Sequence, residues 1–298
     1  MVLELKNIEK TFGEKQVLRG ISFSAEGGRA FGLLGRNGAG KTTAIRILMG
    51  VFPADGGEVL LDGAPIDYRR VGIGYLPEER GLYPKKIILD QLVYFAELKG
   101  MSRKAAIASI DYWLERLGMS EYRGKRLDTL SKGNQQKIQL VTALAHNPDI
   151  VILDEPFSGL DPVNAMLLKD VVREEIAKGK IVLFSSHQMG YIEEFCDSIA
   201  IIHEGQVSIA GDLKEIKRAY PRDRLVVGTQ NPEAIVAALG EACTLREDGT
   251  LLVRLASPGE KGDMMRRLVA EYDVDEIKVF EPSLGDIFVE HAGAEVKA

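Results

Sequence analysis

Residues 35–43 read GRNGAGKTT, and they fit the spacing G-x-x-x-x-G-K-[ST]. Gly35 opens the pattern. Arg36, Asn37, Gly38 and Ala39 fill the middle, and Gly40, Lys41, Thr42 and Thr43 close it. Glycines let a backbone curl until consecutive N–H groups face one anion. A lysine at the seventh position reaches terminal phosphates as a mobile cation, and the hydroxyl of Thr42 is offered to Mg²⁺. The apolar run RAFGLLG precedes the loop and a helix-forming run through Met49 follows it. That order aims the positive end of a helix dipole at the same phosphates. A chain of this length meets the pattern by chance on the order of 1% of the time.

A phosphate site of this kind needs a carboxylate to hold its metal. DIVILDEP, residues 149–156, supplies one: apolar residues, then Asp154 and Glu155 where the strand should end. Asp154 is placed to hold Mg²⁺, and Glu155 to accept a proton from attacking water. His187 follows KIVLFSS at a third such strand end, and open α/β sheets bind ligands at strand ends. His146, His203 and His291 have no such setting and read as surface or core residues.

The rest of the chain frames that site. Its 298 residues suit one large domain or two ordinary ones. With 38 basic and 44 acidic residues, the formal net charge is -6, which gives no overall electrostatic footprint for nucleic acid. Cys196 and Cys243 lie far apart, so a disulfide framework is not expected and a reducing compartment is. MVLELKNIEK alternates polar and apolar residues and has no apolar leader core. No apolar run reaches the roughly 18–20 residues that span a bilayer, so any membrane connection is expected through a partner.

Residues 1–28 suggest short alternating strands with turns at Gly13 and at Gly27 and Gly28. Residues 84–146 turn helical: Ile88, Leu92 and Phe95 fit a 3.6 period, as do Ile107, Ile110, Trp113, Leu114 and Leu117. DIVILDE, KIVLFSS and SIAIIHEG then read as strands of a parallel sheet covered on both faces. RAYPRDR marks a linker. Beyond it the order is βαββαβ, with a last helix around SLGDIFVEHAG. The expected domains are 1–219 and 220–298.

In their order these residues resemble the ATP-binding subunits of ABC transporters, over about residues 1–211. The phosphate loop is followed by LSKGNQQK at the signature position, VILDEPFSGLD at the metal strand and SSHQM at the switch histidine. The remaining segment resembles the C-terminal domain of a subset whose permease is a separate membrane protein, some resembling sodium-extrusion ATPases. The resemblance implies a P-loop ATPase fold: a RecA-like core with an antiparallel β subdomain and a helical subdomain, plus a small α+β ferredoxin-like domain. It implies ATP and Mg²⁺ as cofactors, and a head-to-tail pair with a second copy or a homologous subunit. It also implies a multi-span permease as partner, no nucleic acid, and a cytoplasmic position on the inner face of the membrane. Phe12 matches the aromatic that stacks on adenine. Ser131, Gly133 and Asn134 match the signature residues that touch the γ-phosphate of the facing subunit, and Asp161 a contact to that facing site. Glu155 matches the general base and His187 the γ-phosphate sensor.

Two departures stand out. Glu78, in GIGYLPEERGLYP, stands where the family usually has glutamine, and Lys132 and Asn134 alter the usual L-S-G-G-Q. Glu78 can still hold Mg²⁺, because an ionised carboxylate suits a hard cation. Lys41, Asp154, Glu155 and His187 all remain. The competing readings are a soluble ABC-type regulatory ATPase not coupled to transport, an ATPase acting on DNA or ribosomes, and a GTPase. The last two are disfavoured: the chain has one phosphate loop, no long coiled-coil insertion and no Asn-Lys-x-Asp run.

Overall fold

The computed structural model describes residues 1–292 apart from Arg80, His187 and Glu247. The chain divides into two compact units, Met1–Leu213 with the chain from Ile287 onward, and Lys214–Asp286. The first unit opens with strands β1 (Val2–Phe12), β2 (Lys15–Glu26) and β3 (Ala30–Gly35), then helix α1 (Lys41–Leu48). Strands β4 (Gly56–Leu61), β5 (Ala64–Pro65) and β6 (Ile73–Leu76) follow. Helices α2 (Ile88–Leu98), α3 (Arg103–Arg116) and α4 (Lys132–Leu144) form the helical insertion. The chain then alternates through β7 (Ile150–Asp154), α5 (Pro162–Ala177), β8 (Ile181–Ser185), α6 (Met189–Phe195), β9 (Ser198–His203) and β10 (Gln206–Asp212).

Six strands form the central sheet in the order β10-β9-β3-β8-β7-β6. All neighbours pair in parallel except the β10–β9 edge. β3, β7 and β8 are buried along their whole length, which is why each reads as an almost unbroken apolar run. The parallel strands finish on one edge of the sheet, so the segments after β3, β6, β7 and β8 converge there.

A second, antiparallel sheet has the order β2-β1-β4-β5. The sequence suggests short strands in this region, whereas β1 and β2 run 11 and 12 residues. The pairing shifts register between Leu5 and Ile8, where Asn7 has a positive φ of 49°. A bulge bends a strand without ending it, so the alternation breaks while the strand continues. One apolar cluster joins Leu3, Leu5 and Ile8 of β1 to Ile45 and Leu48 of α1, and to Ile152 and Leu183 of the central sheet. That cluster seats the first turn of α1, and with it the loop at residues 35–40.

The second unit is built from α7 (Leu213–Ala219, which enters it), β11 (Arg224–Gly228), α8 (Pro232–Leu239), β12 (Cys243–Leu245), β13 (Leu251–Arg254), α9 (Lys261–Glu271) and β14 (Glu276–Val279). Helix α10 (Leu284–His291) leads out of it. The sheet order β12-β13-β11-β14 is antiparallel throughout, the ferredoxin-like arrangement of βαββαβ. Leu225, Val227, Leu251 and Val253 alternate along the strands and pack with Ile235 of α8 and Leu268 of α9. Among the described residues no helix is long and apolar enough to cross a membrane.

Candidate functional site

The loop between β3 and α1 wraps a cavity of about 1020 Å³. Gly35, Arg36, Asn37, Gly38, Gly40 and Lys41 line it, joined by Thr42 and Thr43 from the first turn of α1. The glycines are dictated by geometry. A Cβ on Gly35 would lie 2.5 Å from the Ile202 carbonyl oxygen, and one on Gly40 would lie 2.6 Å from the Leu18 side chain. Gly38 has open space but a φ of +80°, which L side chains rarely adopt. Ala39 is buried behind the loop. The Lys41 ammonium folds back and donates to the carbonyls of Gly35 at 2.6 Å and Arg36 at 3.2 Å. Burial pushes its pKa down from the usual lysine value, and the charges of Asp154, Glu155 and Glu78 oppose that push.

Those three carboxylates line the same cavity. Asp154 ends β7 and is buried. Burial pushes its carboxyl above the usual carboxylate range, with the charges of Glu78 and Glu155 adding to the push. The Tyr75 hydroxyl, on β6, donates to Asp154 Oδ2 at 3.3 Å. Burial pushes the Tyr75 phenol up, and the Asp154 charge pushes the same way, so it stays protonated and able to donate. Glu155 is buried too, and its backbone has a φ of 49°. Its amide donates to the Ser185 carbonyl at 2.8 Å, and its Oε2 accepts from Ser186 Oγ at 2.8 Å.

Three carboxylates and the cations Lys15, Arg36 and Lys41 line the cavity, so a bound polyphosphate would bring a net negative charge. A divalent cation arriving with a polyphosphate would balance it. Among the described residues no three His, Cys, Asp or Glu side chains are grouped closely enough to cage a metal alone. This donor set fits Mg²⁺, which keeps water and phosphate ligands and takes only one or two protein carboxylates.

The other expected residues that are described lie outside this cavity. Phe12 is exposed, edge-on to Phe52 at 5.6 Å, and pairs in register with Lys15, which does line the cavity. Ser131 caps α4, its side chain accepting from the Asn134 amide at 3.4 Å. Gly133 lies in the first turn of α4, near Leu160 and Asn164. Asp161 caps α5 and accepts from the Asn164 amide at 3.0 Å. That bond leads the interactions that hold its carboxyl below the usual range. His187 falls outside the described residues. Lys15, Val17, Tyr75 and Ser186 join the site without a motif to announce them. Only Ser186 had a signal, its place beside His187 in SSHQM.

Residues 18–158 of the chain match the family described as ABC transporter. Residues 211–292 match the one described as ATP-binding protein DrrA1-3-like, C-terminal domain. The uncharacterized ABC transporter ATP-binding protein YhaQ of Bacillus subtilis is 40% identical over 296 residues, 98% of this chain and 99% of its own. Nod factor export ATP-binding protein I of Burkholderia lata is 36% identical over 208 residues, 68% of each chain. The solved structure of an ATP binding subunit of an ABC transporter aligns with a TM-score of 0.67 at 30% identity, over 73% of this chain and 92% of that one.

Proposed function

The chain belongs to the ATP-binding subunits of ABC transporters, and on that premise we propose that it hydrolyses ATP to power export through a separate multi-span permease. The observation that carries the reading is the convergence of Lys41, Thr42, Glu78, Asp154 and Glu155 on one cavity. In it, Lys41 leaves the Gly35 and Arg36 carbonyls for the β- and γ-phosphates. Thr42, Asp154 and Glu78 hold Mg²⁺. Glu155 takes a proton from the water that attacks the γ-phosphate, releasing ADP and phosphate. His187 senses the γ-phosphate, and Phe12 stacks on adenine.

Two subunits pair head to tail in this proposal. The α4 N-terminus, with Ser131, Gly133 and Asn134, turns its amides toward the γ-phosphate bound by the facing subunit, and Asp161 meets that same site. ATP binding closes the pair and hydrolysis loosens it, which gives the permease two states to follow. Lys132 is exposed in the chain by itself, as facing a second subunit requires. We propose that its positive charge offsets the extra negative charge of Glu78 across the composite site. A double-mutant cycle on ATPase rate, Glu78→Gln with Lys132→Gly, should be non-additive, and additive single effects would remove the idea.

Export is supported by the relative named for Nod factor export. The cargo, Na⁺ or a larger solute, is then chosen by the permease. The test is affinity purification of the tagged protein from detergent-solubilised membranes of its own host. A multi-span protein that co-purifies, and that raises the ATPase rate, is the expected result. An active ATPase found wholly in the soluble fraction would instead favour a regulatory ATPase with no transport partner.

A further inference from the structure

Gln139 is a buried amide on α4, only 4% exposed, and no role proposed above uses it. Its Nε2 donates to two backbone carbonyls, Pro77 at 3.2 Å and Glu79 at 3.0 Å. These are the carbonyls on either side of Glu78. After β6 ends at Leu76, Pro77, Glu78 and Glu79 belong to no helix or strand, so no sheet or helix ladder fixes their backbone, whereas nearer α2 Ile87 bridges Arg126. A buried polar side chain is costly unless it is bonded. An aliphatic residue would serve equally well if this position, between Ile138 and Leu140, only filled the core.

A second buried amide holds the far end of the same segment. Gln91, on α2, accepts from the Tyr83 amide at 3.1 Å through Oε1 and faces the Lys86 carbonyl at 3.4 Å through Nε2. The loop is therefore pinned at both ends, by different helices. Among the described residues, only the Gln139 end carries a residue of the phosphate cavity. Gln139 also lies about two turns along the helix that starts at Lys132. One rigid element thus holds the signature residues at its start and the backbone of Glu78 further on.

We propose that Gln139 is a positioning residue for Glu78, aiming its carboxylate into the phosphate cavity and making it move with the signature helix. The proposal rests on Glu78 acting at the Mg²⁺–nucleotide site as described above. Gln139→Leu keeps the apolar packing and takes the amide away from both carbonyls. Hydrogen exchange on the whole protein should then show the peptide containing Glu78 and Glu79 exchanging about tenfold faster. The Mg²⁺ concentration for half-maximal hydrolysis should rise about tenfold. ATP affinity without Mg²⁺ should stay within about twofold, and in a Glu78→Ala background the same substitution should shift the Mg²⁺ requirement by less than about twofold. Gln91→Leu, the control, should loosen the Tyr83 end and leave the Mg²⁺ requirement unchanged.

Unchanged exchange around Glu78 would overturn the clamp. An equal Mg²⁺ shift with and without the Glu78 side chain would overturn the coupling. If melting shows that the leucine variant does not fold, Gln139→Met faces the same two outcomes. Exchange needs no turnover, so a wild-type protein without ATPase activity would sink the proposed function and still leave the clamp decided.

Discussion

Glu155 occupies the left-handed backbone region, at a cost of order 1–3 kcal/mol for a residue that is not glycine. Strain of this kind persists where neighbours over-determine a side chain. Here Ser186 Oγ donates to its carboxylate at 2.8 Å and accepts from the Gln188 amide at 3.1 Å. One hydroxyl thus ties the carboxylate to the loop entering α6. Ser186→Ala should lower kcat about tenfold with the KM for ATP changed less than about twofold, and Ser186→Thr should restore most of the loss. A matching rise in KM would make the hydroxyl a binding contact instead. Phe12→Ala should do the converse, raising KM about tenfold at little cost in kcat, in steady-state assays. The phosphate loop and the Asp154–Glu155 pair were legible in the sequence because their chemistry is local, fixed by spacing within a few residues. Ser186, Tyr75 and Gln139 were not, because each acts on a residue or backbone segment brought alongside by β-sheet pairing or helix packing.

At the scale of elements, the apolar runs at β7, β8 and β9 announced a covered parallel sheet, and the βαββαβ order announced the second unit. The long bulged strands β1 and β2 were hidden because each register shift breaks the two-residue alternation. His146, just after α4, shows what packing adds. Its Nε2 lies 3.2 Å from the Ile73 carbonyl, and burial, with nearby Lys99, pushes its pKa down to about 4. The unfolded chain takes up this proton near pH 6.5. Stability from a neutral His146 is therefore complete above about pH 6.5 and lost as the pH falls toward 4. Between pH 7 and 4.5 the wild type should lose about 2 kcal/mol more than His146→Gln, read from urea midpoints. An identical acid response in the two proteins would show that His146 stays solvated. Asp161→Ala removes the α5 cap and should lower the urea midpoint at neutral pH in the same assay.

For the whole molecule, the proposed pairing accords with the cavity lining, which among the described residues collects the phosphate loop and three carboxylates but none of Ser131, Gly133 or Asn134. The sequence pointed to a facing subunit only through family resemblance, because nothing in a single chain's spacing would record a contact with a second copy or a homologous subunit. Glu155→Gln with Mg²⁺–ATP should double its mass in light scattering, while the ADP form should not, and a nucleotide-independent mass would argue against closure by ATP. The transport role proposed above depends on hydrolysis of ATP in this cavity with Glu155 as base. That reaction is tested most directly by phosphate release from the purified protein with and without Mg²⁺, beside Glu155→Gln under the same conditions. A Mg²⁺-dependent rate that falls at least about 100-fold in Glu155→Gln while ATP binding persists is the expected result. A rate that survives the substitution would contradict Glu155 as the base.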